Sequence, residues 1–79
     1  MPTRRNPYPD WVHTQRARLG HRIAVLRREA GLSQDGLASR AGIDRRSIQR
    51  YEAAERDPRY ADLLLIADAL GVPLVNLIE

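Results

Sequence analysis

The sequence predicts an all-α bundle of five helices, and three observations carry that expectation. Apolar residues recur at helical spacing in the longer segments, and no run alternates convincingly between apolar and polar as a half-buried strand would. Capping residues and turn glycines, among them Gly31, Ser33, Gly42, Asp44 and Gly71, divide the chain into short segments. The length of 79 residues, with no cysteine, leaves room for one domain with a small core and no disulfide to support it.

Residues 1–10 read as an irregular N-terminal arm, because Pro2, Pro7 and Pro9 remove backbone donors and push their predecessors out of helical geometry. Asp10 is a suitable N-cap for a first helix from Trp11 to Ala30, which places Leu19, Ile23, Leu26 and Ala30 on one face. Gly31 ends it. Ser33 then caps a short helix from Gln34 to Arg40 that buries Leu37, Ala38 and Ala41, and Gly42 supplies the turn that follows. Asp44 caps a third helix from Arg45 to about Ala53, with Ile48 and Tyr51 inward and Arg45, Arg46, Gln49 and Arg50 outward. After a polar loop, Glu55 to Arg59, a fourth helix covers Tyr60 to Leu70 with Leu63, Ile66, Ala67 and Leu70 as its core side. Gly71 stops it, and Pro73 suits the first turn of a last short helix carrying Leu74, Leu77 and Ile78.

The formal net charge of +3 conceals a strong asymmetry. Residues 16–50 hold nine arginines against Glu29, Asp35 and Asp44, a net +6, whereas residues 51–79 hold Arg56 and Arg59 against six acids, a net −4. Such a division suits a polyanion-binding face with an acidic back, although solvated helix faces produce the same counts. All 13 basic residues are arginine, so the choice of arginine at any one position says little about that position. The longest purely apolar run is Leu63 to Ala67, far short of a membrane span, and no apolar core follows Arg4 and Arg5 as a signal peptide requires. No membrane partner is therefore expected, and the absence of cysteine fits a reducing compartment, so the expected location is cytoplasmic.

Residues 33–53 hold two short helices around a glycine turn. The run Leu32-Ser33-Gln34-x-x-Leu37-Ala38-x-x-Ala41-Gly42-Ile43-x-x-x-x-Ile48-x-x-Tyr51-Glu52 resembles the helix-turn-helix of the Cro and phage-repressor type, also called the XRE family. The resemblance continues through Arg56-x-Pro58 and Leu63-x-x-Ile66-Ala67-x-Ala69-Leu70-Gly71-Val72, covering about residues 18–78. It implies a lambda-repressor-like DNA-binding bundle over residues 11–79, double-stranded DNA as partner, and a homodimeric repressor that reads a palindromic operator. Physical reasons accompany the motif. Ala38 is small where the second and third helices cross, Gly42 suits a positive φ, and Ile43 and Ile48 fill the space between the helices.

By the same resemblance, the base-reading positions fall on Arg45, Arg46 and Arg50, with Gln49 and Ser47 beside them. Arginine pairs bidentately with guanine O6 and N7, so a G-containing half-site is expected, although single members of the set would serve equally as phosphate contacts. Phosphate positioning falls to Arg27, Ser33, Gln34, Arg56 and Arg59. A structural ion pair between Arg27 and Glu52 is also implied, and both roles of Arg27 are compatible. Pairing through the last two helices implicates Tyr60, Leu74, Val75 and Ile78 as a dimer interface, with ordinary core packing the alternative for Leu74 and Ile78. Arg4 and Arg5 suit a minor groove, and Trp11 with Val12 suits an extension of the first helix or a contact to a second chain. The chain ends directly after the fifth helix, so no sensing domain is expected and control would rest on concentration, a partner or a shared operator.

Two departures from the family pattern stand out. Ala54 occupies a position where glycine commonly ends the recognition helix, so that helix is expected to run slightly longer and shift the loop bearing Arg56. Gly36 replaces a helix-favouring residue at about 1 kcal/mol relative to alanine.

An enzyme is not expected. His13 and His21 are not at a usual ligand spacing, there is no Cys-based zinc site, and the acids Glu52, Glu55 and Asp57 cluster without a suggested His or Ser partner. No metal and no cofactor is expected. The stronger rival is an antitoxin-like or other protein-interaction module, with a protein partner and DNA binding secondary.

Overall fold

Residues 8–79 are described in a computed structural model. Arg4 and Arg5 lie outside the described residues. Among the described residues five helices follow in order: α1 (Asp10–Glu29), α2 (Gln34–Ala41), α3 (Arg45–Glu52), α4 (Tyr60–Leu70) and α5 (Val75–Ile78). Among the described residues there is no strand. The architecture is the all-α, repressor-like arrangement: α2 packs on α3 and α4, α1 lies across α3 and α5, and α4 meets α5.

Ile23, Leu37, Ile48 and Ile66 are the largest fully sequestered side chains and come from α1, α2, α3 and α4. Each supplies about 1.5–3 kcal/mol by leaving water, which lets a small core hold four helices together. Ala38, Ala41, Ala67 and Ala69 are the small residues between them, and Leu77 anchors α5. Leu19, Leu26, Leu63 and Leu70 are only partly buried and pack around this centre. Ala30, expected on the inner face of α1, is its exposed C-cap; Gly20, Ala24 and Arg27 are buried instead.

The helix boundaries follow from local hydrogen bonding. Asp10 makes no side-chain cap; it sits in the first turn of α1, where its charge suits the helix dipole. The extended Pro9, with φ −57° and ψ 154°, takes the cap position, and its carbonyl accepts the Val12 N–H at 3.0 Å. Ser33 caps α2 by accepting the Gly36 N–H at 2.9 Å. Gly42, at φ 73°, ends α2, and the following Ile43 N–H reaches the Ala38 carbonyl at 3.0 Å, turning the chain into α3. At α5 the turn begins with Pro73, whose carbonyl accepts the Asn76 N–H at 2.9 Å, although the α-helix itself starts at Val75.

Ala54 does not lengthen α3. The helix ends at Glu52, and Ala54 adopts the left-handed conformation at φ 58° that glycine would ordinarily supply. The Ala54 N–H donates to the Tyr51 carbonyl at 3.2 Å and the Glu55 N–H to the Arg50 carbonyl at 2.9 Å. These are the two bonds of a Schellman ending, so the carbonyls of the last turn are satisfied at the cost of an unfavourable alanine backbone.

Candidate nucleic-acid interface

α3 is rigidly started. The Asp44 carboxylate accepts the Ser47 N–H at 3.0 Å and the Ser47 hydroxyl at 2.9 Å. The backbone bond first, and the hydroxyl second, hold the Asp44 carboxyl below its ordinary pKa. Successive residues turn about 100° around a helix, so directing Ile48 and Tyr51 into the core turns Arg46, Gln49 and Arg50 the other way. Arg46 and Gln49 are exposed and Arg50 is half-buried; none makes a side-chain hydrogen bond among the described residues. Arg45 lies on the α2 flank, its Nη1 3.4 Å from the Asp35 carboxylate, with side chains 56% and 69% exposed. A pair so exposed is worth about 0.2–1 kcal/mol and leaves Arg45 available. Ser47 is on the opposite flank with its hydroxyl proton given to Asp44.

One buried carboxylate joins three helices. Arg27 donates Nε to Glu52 at 2.6 Å and Nη2 at 3.1 Å, and its Nη1 donates to the Leu32 carbonyl at 2.9 Å. Gln34 Nε2 donates to the same Glu52 at 3.0 Å. The Arg27 and Glu52 side chains are 10% and 8% exposed, so this pair works in a low dielectric and fixes α1, α2 and α3 together. The hydrogen bond to Glu52 outweighs burial and raises the Arg27 pKa. Of the residues read as phosphate contacts, Arg27 and Gln34 therefore have donors directed at Glu52, Ser33 caps α2, and Arg56 and Arg59 are exposed in the loop after α3.

Further contacts hold α1 and α3 against their neighbours, and the sequence reading did not find them. Gly20 lets α1 approach the end of α3 so closely that a Cβ there would stand 2.6 Å from the carbonyl oxygens of both Tyr51 and Glu52. The buried Tyr51 hydroxyl donates to Asp62 at 2.5 Å, and burial, with that bond, pushes the phenol pKa up. Arg16 donates Nε to Asp57 at 2.6 Å, and Arg22 donates to the Asn76 and Glu79 carbonyls at 3.2 and 3.0 Å. Only Gly20 left a visible signal, a glycine amid good helix formers. The others join residues far apart in sequence.

Two polar clefts flank the outward face of α3. One, of about 340 Å³, is lined by Asp44, Ser47, Arg56, Asp57, Arg59 and Asp62. The other, of about 400 Å³, brings Arg28 beside Gln34 and Gln49. Arg28 is exposed, without an acidic partner among the described residues, and was absent from the sequence-derived set. The arrangement is a projecting helix with arginines to either side. Among the described residues no cluster of His, Asp or Glu has metal-binding geometry, and no helix is long and apolar enough to cross a membrane.

Residues 18–78 match the family model described as a helix-turn-helix domain. The chain belongs to this helix-turn-helix family. It is 37% identical over 60 residues to the uncharacterized HTH-type transcriptional regulator y4dJ of Sinorhizobium fredii (strain NBRC 101917 / NGR234), covering 76% of this chain and 78% of that one. Among solved structures, the restriction-modification controller protein C.AhdI from Aeromonas hydrophila has a TM-score of 0.79 at 31% identity, covering 81% of this chain and 97% of that one. The hypothetical transcription factor NHTF from Neisseria also gives 0.79, at 29% identity over 84% of this chain and 74% of its own. These relatives are regulators rather than enzymes, and this helix-turn-helix domain is of the XRE type, a DNA-binding domain of transcription regulators.

Of the residues assigned to pairing, Tyr60 and Val75 are exposed, as is Ile78, whereas Leu74 is half-buried against the core. Leu64 and Leu65 are exposed as well, on the sides of α4 turned away from its core residues. Tyr60 and Leu64 stand one turn apart on the same side of that helix, and Val75 and Ile78 share a side of α5.

Proposed function

We propose that the chain is a homodimeric repressor that reads the major groove of a palindromic operator with α3. The observation that carries this reading is the outward row of Arg46, Gln49 and Arg50, unbonded among the described residues, on a helix whose remaining sides are fixed by Asp44, Glu52 and Tyr51. Arg45 and Ser47 flank the row and reach the edges of the same site. Ser33, Gln34, Arg56 and Arg59 position phosphates, with Arg28 added to them, while Arg27 acts mainly by holding Glu52. The apolar side chains of Tyr60, Leu64, Val75 and Ile78, together with Leu65, support pairing of two copies through α4 and α5, with Leu74 beneath them as core.

Selection of bound fragments from random duplexes tests the reading. The expected product is two G-containing half-sites related by two-fold symmetry, spaced by about 10–10.5 base pairs or a multiple. With Arg28, Arg56 and Arg59 as about three charge-neutralising phosphate contacts per subunit, log K should fall with log salt at a slope near −2.7 for each subunit. Failure to bind any duplex at low salt would refute the reading in favour of a protein-interaction module, and a monomer on its selected site would refute the dimer.

A further inference from the structure

The cleft that holds Arg56 and Arg59 also holds three carboxylates, Asp44, Asp57 and Asp62. Left to themselves, these acids would pair with the two arginines and compete with any phosphate for them. Each is instead occupied from elsewhere. Asp44 accepts both Ser47 donors, Asp62 accepts the Tyr51 hydroxyl, and Asp57 accepts Arg16 Nε at 2.6 Å. Arg56 and Arg59 have no acidic partner within 4.0 Å among the described residues. Arg16 also directs Nη2 to the carbonyl of Ala54 at 3.4 Å, the left-handed residue from which the loop departs. Two of the three occupations are local to α3 and α4. The third comes from α1, two residues ahead of the segment 18–78 that matches the family model.

We infer that Arg16 is a positioning residue for phosphate binding: it occupies Asp57 and ties the loop after α3 to α1, which leaves Arg56 and Arg59 unpaired for the DNA backbone. This rests on the DNA-binding reading above. The mechanism is electrostatic and geometric. Arg16 is about three-quarters buried and starts from a rigid helix, so it presents its guanidinium at a fixed place. Asp57, drawn to it, contributes its negative charge to that pair and not to Arg56 or Arg59 on either side of it in sequence.

The test uses the full chain and a duplex carrying its selected site, with Arg16→Ala, Asp57→Ala, the double variant, and Arg16→Lys. Arg16→Ala should weaken duplex binding about 2- to 5-fold, the range of a partly exposed ion pair, and flatten the salt slope by up to about 0.9 as one phosphate contact is lost to Asp57. In the Asp57→Ala background the same Arg16 replacement should have a clearly smaller effect on both quantities, because no competing carboxylate remains and only the bond to the Ala54 carbonyl is lost. Arg16→Lys should retain most of the affinity, and amide exchange at residues 55–57 and 59 should rise in Arg16→Ala while α2 and the start of α3 are unaffected. Equal effects of Arg16→Ala in both backgrounds would overturn the inference by showing a direct phosphate contact or a general loss of stability. Wild-type affinity and salt slope in Arg16→Ala would also overturn it. If the wild-type chain bound no duplex at low salt, the DNA-binding reading itself would fail and the inference with it.

Discussion

Replacing Gly20 by alanine separates local propensity from tertiary geometry, because the two give opposite signs. An interior helix glycine costs about 1 kcal/mol relative to alanine, so propensity alone expects Gly20→Ala to stabilise α1. The fold opposes this. The new Cβ would sit 2.6 Å from the carbonyl oxygens of Tyr51 and Glu52 and 3.0 Å from the Glu52 carbonyl carbon. Carbon-to-oxygen contacts in folded proteins are about 3.3–3.6 Å, so the helices must separate by roughly 0.7 Å. The obstructing atoms are backbone and have no rotamer to escape into. Glu52 is also held at 2.6 Å by Arg27, so moving its backbone strains the buried pair. Overpacking of this kind costs about 1–3 kcal/mol, and with backbone on both sides the upper part of the range applies. The expected net loss is therefore about 1–2 kcal/mol, and each kcal/mol lowers the melting temperature of a domain this size by about 4–8 °C. Gly36→Ala is the matched control. Its Cβ would meet the Ser33 hydroxyl oxygen, the cap acceptor for the same residue's N–H, at 3.3 Å and a Leu32 methyl at 3.5 Å, so only side-chain atoms must give, by a few tenths of an ångström, and the change should be near neutral, within about 1 kcal/mol. Thermal or urea unfolding of both variants decides the matter. A Gly20→Ala variant that melts at or above the wild type, or a Gly36→Ala variant that loses as much, would refute the reasoning.

Other substitutions probe the remaining contacts. Ala54→Gly should stabilise the chain by about 0.5–1 kcal/mol in denaturant unfolding, since relief of the left-handed alanine exceeds the added entropy of glycine; a loss of stability would count against the strained ending of α3. Breaking the buried pair with Arg27→Met should cost about 3–5 kcal/mol, and the cycle with Glu52→Gln should be strongly non-additive; simple additivity would mean that the two groups are not coupled. Tyr51→Phe should cost about 1.5 kcal/mol or more at neutral pH through the lost bond to Asp62. Because the folded Tyr51 pKa is raised above 10.0, the phenol's contribution is whole below pH 10 and disappears as pH rises through the raised value. With no lysine to titrate in that window, the alkaline fall in melting temperature should be smaller in Tyr51→Phe than in the wild type. Arg46→Ala should lower affinity for the selected duplex by about 1–3 kcal/mol and relax preference at one base pair, whereas a uniform loss over all sequences would make Arg46 a phosphate contact.

The candidate interface was legible in part, and the legible part has a common cause. The outward direction of Arg46, Gln49 and Arg50 follows once Ile48 and Tyr51 are known to be buried, because helical rotation fixes the rest. The same periodicity placed Ile23, Leu37 and Ile66 in the core. It did not distinguish arginines that face solvent from those that hold the bundle together. Of the nine in residues 16–50, Arg16, Arg22 and Arg27 are bonded to distant parts of the chain, so the net +6 of that segment overstates the charge free to meet DNA.

Sequence by itself determined what depends on neighbours three or four residues away: the five helices, the caps at Ser33 and Asp44, and the glycine turn at Gly42. Those bonds close within one turn and need no knowledge of the fold. Tertiary structure alone decided the close approach at Gly20, the left-handed Ala54, the Tyr51 to Asp62 bond and the capture of Asp57 by Arg16. Arg16 and Asp57 are 41 positions apart; Arg27 and Glu52, 25 apart, were expected as a pair only through the family resemblance. Partners at such separations meet only after packing has set the helix positions, and the energy of each contact depends on distances that periodicity does not contain.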